Sequence, residues 1–149
     1  MASTHLALNY HIVFSTKNRE PLISQTFREA LHRYMTGVIQ NLNGVSVAIG
    51  GTSDHVHLLI RLRATHCLAD VVRDIKRSSS EWVHESQKSY QFAWQEGYGA
   101  FTVSPTQIDA VREYVLNQET HHQRRTFQQE YVAMLNRSGI EYNERYIWT

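Results

Sequence analysis

Two short stretches of alternating apolar residues, separated only by a glycine-rich turn, constrain this fold most. Val45, Val47 and Ile49 alternate with other residues, and the segment 54–62 alternates in the same way after the turn 50–53 (GGTS). A period of two is typical of strands, because successive side chains point to opposite faces of a sheet. The short turn between the two stretches predicts an antiparallel hairpin.

Strand and helix patterns on both sides of this hairpin extend it into a larger unit. The segment 5–14 (HLALNYHIVF) alternates like a strand, and 92–104 indicates a fourth strand around a turn at 97–99. Apolar residues at helical spacing predict helices over about 24–41 and 68–85. This order predicts an α+β, ferredoxin-like (split βαβ) antiparallel sheet with both helices on one face. We expect the other face to stay open for a ligand or a second subunit.

The last third of the chain adds helices to this unit. Ser104 and Pro105 are typical of a helix start, and that helix is predicted to reach about His121. A second helical stretch covers about 123–137, and we expect the aromatic tail 140–149 to dock on the domain. Since the sequence has no repeat, low-complexity tract or linker, we expect a single domain over residues 1–149.

The composition limits the functions that the chain can serve. Its 15 basic and 14 acidic residues give a net charge of +1, so any positive surface for nucleic acid must be local. One cysteine, Cys67, allows no internal disulfide, which agrees with a reducing compartment. The start of the sequence lacks a basic region followed by a long apolar run, so we expect no signal peptide. No apolar stretch approaches the roughly 18 residues of a transmembrane helix. We expect a cytoplasmic protein that does not bind membranes.

Two histidines in the second strand of the hairpin are candidates for a chemical role. His55 and His57 share one face of the strand, whereas Val56 and Leu58 share the opposite, core face. Two neutral imidazoles on a rigid strand can bind one cation, and a third ligand must then come from elsewhere. The alternative is a histidine pair with no ligand. Replacing either histidine with Ala is expected to weaken any metal-dependent activity without unfolding the domain.

A tyrosine in the predicted helix after Ser104 is the second chemical feature. Tyr114 and Gln118 lie four residues apart and therefore on one helical face, with His121 nearby. A tyrosine hydroxyl can act as a covalent nucleophile, but its ordinary pKa of about 10 requires help from a cation and a proton acceptor. Gln118 could supply a neutral oxygen to that cation. The alternative is a tyrosine that only packs.

Five segments in this order resemble one family over nearly the whole chain: YHIVFSTKNREPLI, GGTSDHVHLLI, FAWQEGYGAFTVS, YVLNQETHH and GIEYNERYIW. They are similar to the single-tyrosine HUH transposases of the smallest bacterial insertion sequences, and to domesticated relatives associated with repetitive palindromes. HUH denotes histidine, hydrophobic residue and histidine, which in this sequence is His55-Val56-His57.

The resemblance implies a reaction and its residues. Tyr114 would be the nucleophile, and His55, His57 and Gln118 would be ligands of Mg²⁺ or Mn²⁺. The enzyme would cleave and rejoin single-stranded DNA at hairpin ends through a 5′-phosphotyrosine intermediate. The family fold also implies a homodimer in which the tyrosine helix can serve the histidine pair of the other subunit.

Basic side chains in three parts of the sequence are candidates for contacts with DNA phosphates. They are Lys17, Arg19, Arg73, Lys76, Arg77, Arg124 and Arg125. Three other functions stay open: a non-catalytic module that binds single-stranded nucleic acid, a metal-dependent phosphodiesterase that uses water, and a purely structural dimer. Only the transposase forms a covalent adduct with DNA.

Overall fold

The computed structural model describes residues 2–122 and 124–149, and in these ranges it has four strands and five α-helices. The strands are β1 (Asn9–Ser15), β2 (Val45–Gly51), β3 (His55–Arg61) and β4 (Gly99–Thr102). The helices are α1 (Arg28–Asn41), α2 (Leu68–Gln87), α3 (Ile108–Leu116), α4 (Gln118–His122) and α5 (Phe127–Arg137). Single 3-10 turns cover Lys17–Arg19 and Pro105–Gln107.

The four strands form one antiparallel sheet in the order β2-β3-β1-β4. The central strands β1 and β3 pair so that Ser15 lies opposite His55 and Val13 lies opposite His57. Side chains of paired residues point to the same face of the sheet. The predicted α+β, ferredoxin-like class is therefore confirmed.

One face of the sheet forms the main core with α1 and α2, as predicted. The strands contribute Ile12, Phe14, Val56, Leu58 and Ile60, which are all fully buried. Both helices present apolar residues to them, among them Leu31, Met35, Ile39, Val72 and Ile75. Burying each such side chain stabilises the fold by about 1.5–3 kcal/mol.

The other face of the sheet is covered, so the expectation of an open face is wrong. Two apolar clusters lie there, one between Val13 and α5 and one between Leu59 and Val115 of α3. The physical reason is that the C-terminal helices are amphipathic and carry apolar stripes that must leave water. These helices fold back onto the sheet of the same chain. Side chains from the last third of the chain therefore lie over His55 and His57.

Several predicted boundaries differ from the structure, among them the start of the first strand, which is Asn9 rather than His5, and the start of α5, which is Phe127 rather than about 123. The fourth strand covers only Gly99–Thr102; before it, Trp94 forms an isolated bridge with Thr16, and Gln95 Oε1 accepts a 2.7 Å hydrogen bond from Ser15 N. The predicted long helix after Ser104 divides at Asn117 into α3 and α4. The first helix begins at Arg28 rather than near Ser24.

The tail packs beside α5. Tyr142, Ile147 and Trp148 contact the cluster that contains Val13 and Phe127. The carbonyl of Thr149 accepts hydrogen bonds from Gly97 N at 3.0 Å and from Gln95 Nε2 at 3.1 Å. Among the described helices, none combines the length and apolar character that a membrane span requires.

Gly50 of β2 lets α3 approach the sheet closely. It lies opposite His57, and a Cβ atom at this position would overlap the backbone carbonyl of Val115. We expect Gly50→Ala to lower the free energy of unfolding by about 1–3 kcal/mol, because α3 must move away. Gly37→Ala in α1 is the matched control, since nothing lies within 4 Å of its Cβ. Urea denaturation should show the control to be more stable than the wild type by about 0.5–1 kcal/mol; equal effects of both substitutions would contradict the close approach.

Candidate active site

The histidine pair lies on the face of the sheet that the C-terminal helices cover. His55 and His57 are both fully buried, and their ring centroids are 5.2 Å apart. Strand alternation places both rings on this face, as predicted. Phe127 of α5 stacks on His55 with the ring centroids 4.4 Å apart, so α5 covers the histidine pair.

Tyr114 of α3 reaches the same place within the same chain. Its ring lies edge-on to His57, with the centroids 5.7 Å apart, and its hydroxyl donates a hydrogen bond to the carboxylate of Glu130. Gln118 is buried beside it, with Oε1 at 3.0 Å from His55 Nε2. The structure thus brings together all four site residues that the sequence indicated for the nucleophile and the metal.

Glu130 of α5 is the central residue that the sequence analysis missed. Its side chain is almost fully buried, with Oε1 at 2.8 Å from His57 Nε2 and Oε2 at 3.4 Å from His122 Nε2. Burial by itself raises the pKa of Glu130, but hydrogen bonds from His122 and His57 outweigh it and hold this pKa well below its usual range. A signal was available, since Glu130 lies three residues after Phe127 on the apolar face of its helix.

His11 is a second residue that the sequence analysis missed. It forms a hydrogen bond with the ring nitrogen of His57 that does not contact Glu130. The rings meet through His11 Nε2 and His57 Nδ1 at 2.7 Å. Because the ionised Glu130 accepts a hydrogen bond from His57 Nε2, that nitrogen carries the proton of the neutral ring; His57 Nδ1 is therefore the acceptor and His11 Nε2 the donor. Strand alternation could have revealed this contact, since Ile12 and Phe14 face the core and His11 therefore faces the histidine pair.

Asp54 fixes the orientation of His55. His55 Nδ1 donates to Asp54 Oδ1 at 2.8 Å, and Thr52 Oγ1 donates to the same carboxylate at 3.1 Å. Burial raises the pKa of Asp54, but the hydrogen bond with His55 outweighs it and lowers the pKa below its ordinary value. A carboxylate behind an imidazole is the usual support of a metal-binding histidine, because it leaves Nε2 free as a ligand.

The donor set fits a divalent cation. One atom each of His55, His122 and Glu130 lie within 4.8 Å of one another. Gln118 Nε2 donates to the carbonyl of Tyr114, so its oxygen faces His55 Nε2, whose lone pair is free when Nδ1 holds the proton. The lone pairs of His55 Nε2 and Gln118 Oε1 then face each other across 3.0 Å in a buried site, where they repel each other. A cation bound between these two atoms stabilises them. Imidazole nitrogens with carboxylate and amide oxygens suit such an ion.

The same surroundings keep the phenol protonated in the absence of a cation. Burial and then the hydrogen bond and charge of Glu130 raise the pKa of Tyr114. The charge of Arg125 acts in the opposite direction. A more reactive phenol therefore requires added positive charge near Glu130.

The sequence matches the family described as "Transposase IS200 like" over residues 4–118. The chain belongs to this family of IS200-like transposases. The resemblance drawn from the five sequence segments is therefore confirmed at the level of the family, and with it the association of the chain with insertion sequences and DNA recombination. A comparison with curated proteins gave no significant match.

Two solved structures share the fold of this transposase. One is a 1.90 Å crystal structure from Deinococcus radiodurans R1 of a protein proposed to be a transposase, with 21% identity and a TM-score of 0.62. That match covers 79% of this chain and 96% of the other. The second is a REP-associated tyrosine transposase bound to a REP hairpin, with 15% identity and a TM-score of 0.53, covering 77% and 68% of the two chains.

The candidate DNA-binding residues of this transposase do not gather in one patch. Arg73 and Arg77 lie on α2, on the sheet face opposite Tyr114, and pair with Asp70 and Asp74 at 3.1 Å. Lys17 and Arg19 lie on the turn after β1, where the Arg19 guanidinium is 5.1 Å from the Trp148 ring centroid. Arg124 and Arg125 are exposed before α5, and the charge of Arg125 acts to lower the pKa of Tyr114.

Lys76 has a structural role instead of the DNA contact expected from the sequence. Its ammonium donates hydrogen bonds to the carbonyls of Gln95, Glu96 and Gly97 at 2.7–3.1 Å. Burial lowers the pKa of Lys76 to about 8. Because these contacts use its donors, Lys76 holds the loop before β4 and is not free for a phosphate.

Buried neutral histidines make the stability of this transposase dependent on pH. Burial lowers the pKa of His11 to about 3 and that of His57 to about 4. Between pH 6.5 and about 4, the unfolded chain takes up protons at these positions that the folded chain excludes. We therefore expect the free energy of unfolding in EDTA to fall as the pH decreases from 6.5, as measured by urea denaturation. His11→Gln should make this dependence shallower, and a flat profile for the wild type would contradict the assignment.

Proposed function

We propose that this protein cleaves and rejoins single-stranded DNA with Tyr114 as the nucleophile, through a 5′-phosphotyrosine intermediate. The observation that carries the proposal is the meeting of Tyr114, His57 and Glu130 in one hydrogen-bonded group within a single chain. Membership of the IS200-like transposase family supports it.

The proposed reaction exchanges one phosphodiester for another. Tyr114 Oη forms a bond to phosphorus, the bond from phosphorus to the 3′-oxygen breaks, and that oxygen leaves as a hydroxyl after taking up a proton. Glu130 is placed to accept the phenolic proton. The phosphotyrosine keeps the energy of the original bond, so a 3′-hydroxyl from another strand can attack it and release Tyr114.

We propose a divalent cation, Mg²⁺ or Mn²⁺, held by His55, Gln118, His122 and Glu130. When bound it supplies positive charge at the scissile phosphate. His57 Nε2 joins these ligands only when it carries no proton, which reverses the direction of its hydrogen bond with His11. His11 and Asp54 thus fix the orientation of the His57 and His55 rings through hydrogen bonds with their Nδ1 atoms.

We infer that Tyr114 serves the histidines of its own chain, although the family resemblance also implies a homodimer. Tyr114 already contacts His57 and Glu130 without a partner. Mixing the variants Tyr114→Phe and His55→Ala tests this point. Catalysis within one chain predicts that the mixture stays inactive, whereas a tyrosine exchanged between subunits of a homodimer would restore activity.

We propose that the substrate is a hairpin with unpaired flanking DNA. A structural neighbour of the same fold is a transposase bound to a REP hairpin. We propose Arg125 for contact with a phosphate, because its charge acts on Tyr114. We propose that the protein acts on this DNA in the cytoplasm.

The test of this function is a search for the covalent adduct. The wild type is incubated with a labelled library of single-stranded hairpins and Mn²⁺, and the products are separated on denaturing gels. We expect a slow-migrating adduct that EDTA prevents, and peptide mass spectrometry should locate the DNA on Tyr114. Cleaved DNA without an adduct would favour a phosphodiesterase, and binding without cleavage would favour a non-catalytic module.

A further inference from the structure

A cleft of about 470 Å³ opens beside Tyr114, on the side of the ring away from α4. Its walls come from β4, α3 and the end of α5, so it forms only because the C-terminal helices fold back on the sheet. Clefts of 300–1,000 Å³ are typical of sites for small ligands. Apart from Tyr114 and His11, the residues that line the cleft have no role in the metal and nucleophile chemistry described above.

The position of the cleft relates it to the substrate. Tyr114 and His11 form its inner wall, so the cleft and the hydrogen-bonded group around Glu130 share the phenol as a boundary. A phosphate that reacts with Tyr114 must lie next to this ring. The nucleotide on one side of that phosphate is therefore within reach of the cleft.

The chemistry of the cleft matches an unpaired nucleotide. Phe101 and Met134 supply apolar surface for the face of a base, and Gln107 at the edge has an amide that can bond to a base edge. Arg137, in the last turn of α5, adds an exposed guanidinium that can bind phosphate. Apolar walls, an amide and a guanidinium together suit a base attached to a phosphate.

We propose that this cleft binds the base of one nucleotide next to the cleaved phosphodiester, and so selects the position of cleavage. The inference rests on the proposed function, because it assigns the specificity of that same site. Gln107 and Arg137 are specificity and positioning residues in this proposal, since neither touches the reacting atoms. Sequence analysis singled out neither of them.

The first test changes the DNA and leaves the protein intact. Once the cleaved bond is mapped, an abasic site is placed at each flanking position in turn, and the rate of adduct formation is measured. Loss of one base should slow the reaction by roughly tenfold or more, as loss of base stacking does elsewhere. Unchanged rates for both abasic substrates would overturn the proposal.

The second test fills the cleft. Ala110 lines it from an exposed position on α3, so Ala110→Trp adds bulk there without opening the core. We expect Ala110→Trp to react with the intact substrate as slowly as the wild type reacts with the abasic substrate. Removal of the base should then slow Ala110→Trp little further. Ala110→Ser is the matched control and should keep the wild-type rate. Equal sensitivity of Ala110→Trp and the wild type to the abasic site would contradict the assignment.

A third measurement separates this inference from the proposed function. Tyr114→Phe is irradiated with hairpins that carry 5-iodouracil at single unpaired positions, and the crosslinked peptides are identified. Crosslinks to the peptides of Phe101 or Met134 would support the cleft even if the wild type forms no adduct, in which case only the proposed reaction fails. An adduct on Tyr114 with crosslinks confined to other surfaces would overturn the cleft and leave the reaction standing.

Discussion

Tyr114→Phe is expected to abolish the covalent adduct with DNA and to lower the cleavage rate at least about a thousandfold, as loss of a nucleophile does in other enzymes. The substitution removes the only oxygen of the side chain and leaves the ring, which lies 5.7 Å from His57 and 6.1 Å from His11 between centroids. The fold should therefore persist. Quantitative denaturing gels with Mn²⁺ and a hairpin substrate measure the effect.

The control for this variant is a tyrosine outside the site. Tyr90 is 70% exposed and its ring lies near His84, away from Glu130, so Tyr90→Phe should form the adduct at the wild-type rate. Thermal melting should show Tyr114→Phe to be folded, and its DNA affinity should be retained. A mutant that cuts DNA at the wild-type rate would exclude Tyr114 as the nucleophile and favour attack by water.

The part of the site that lies on a strand could be predicted from the sequence. Alternation in β3 is enough to place His55 and His57 on one face, because the period of a strand is fixed by its backbone. Helical spacing similarly places Gln118 one turn after Tyr114. These relationships are local, and they hold in whatever way the elements later pack.

The rest of the site depends on packing between distant segments. Glu130 meets His57 across 73 positions of sequence, and the contact exists only because α5 folds onto the sheet face that was expected to be open. The apolar residue Phe127 indicates that one face of α5 is buried. The local sequence does not indicate which surface that face packs against. The break at Asn117, which separates α3 from α4, is equally invisible to helical periodicity.

His57→Ala is expected to lower the free energy of unfolding by about 1.5–3 kcal/mol, since it removes a buried hydrogen bond to an ionised carboxylate. The sequence analysis expected this variant to fold normally, but His57 is fully buried and donates to Glu130 at 2.8 Å. Without it, Tyr114 and His122 remain as close partners of the carboxylate, and His55 Nε2 lies farther away at 3.9 Å. Urea denaturation in EDTA at pH 7.5 gives the change, and the rise in melting temperature caused by Mn²⁺ should become smaller.

Removing the charge of Glu130 as well should recover part of this loss. In the double variant His57→Ala/Glu130→Gln no buried carboxylate lacks a partner, so its destabilisation should be smaller than the sum of the two single effects by about 0.5–3 kcal/mol. His57→Ala combined with Arg77→Ala is the control, because Arg77 is exposed on the opposite face and the two effects should add within about 0.5 kcal/mol. Additive effects for His57 and Glu130 would mean that the carboxylate carries no charge in the folded protein. The ionised group that ties the nucleophile to the histidine pair would then be absent.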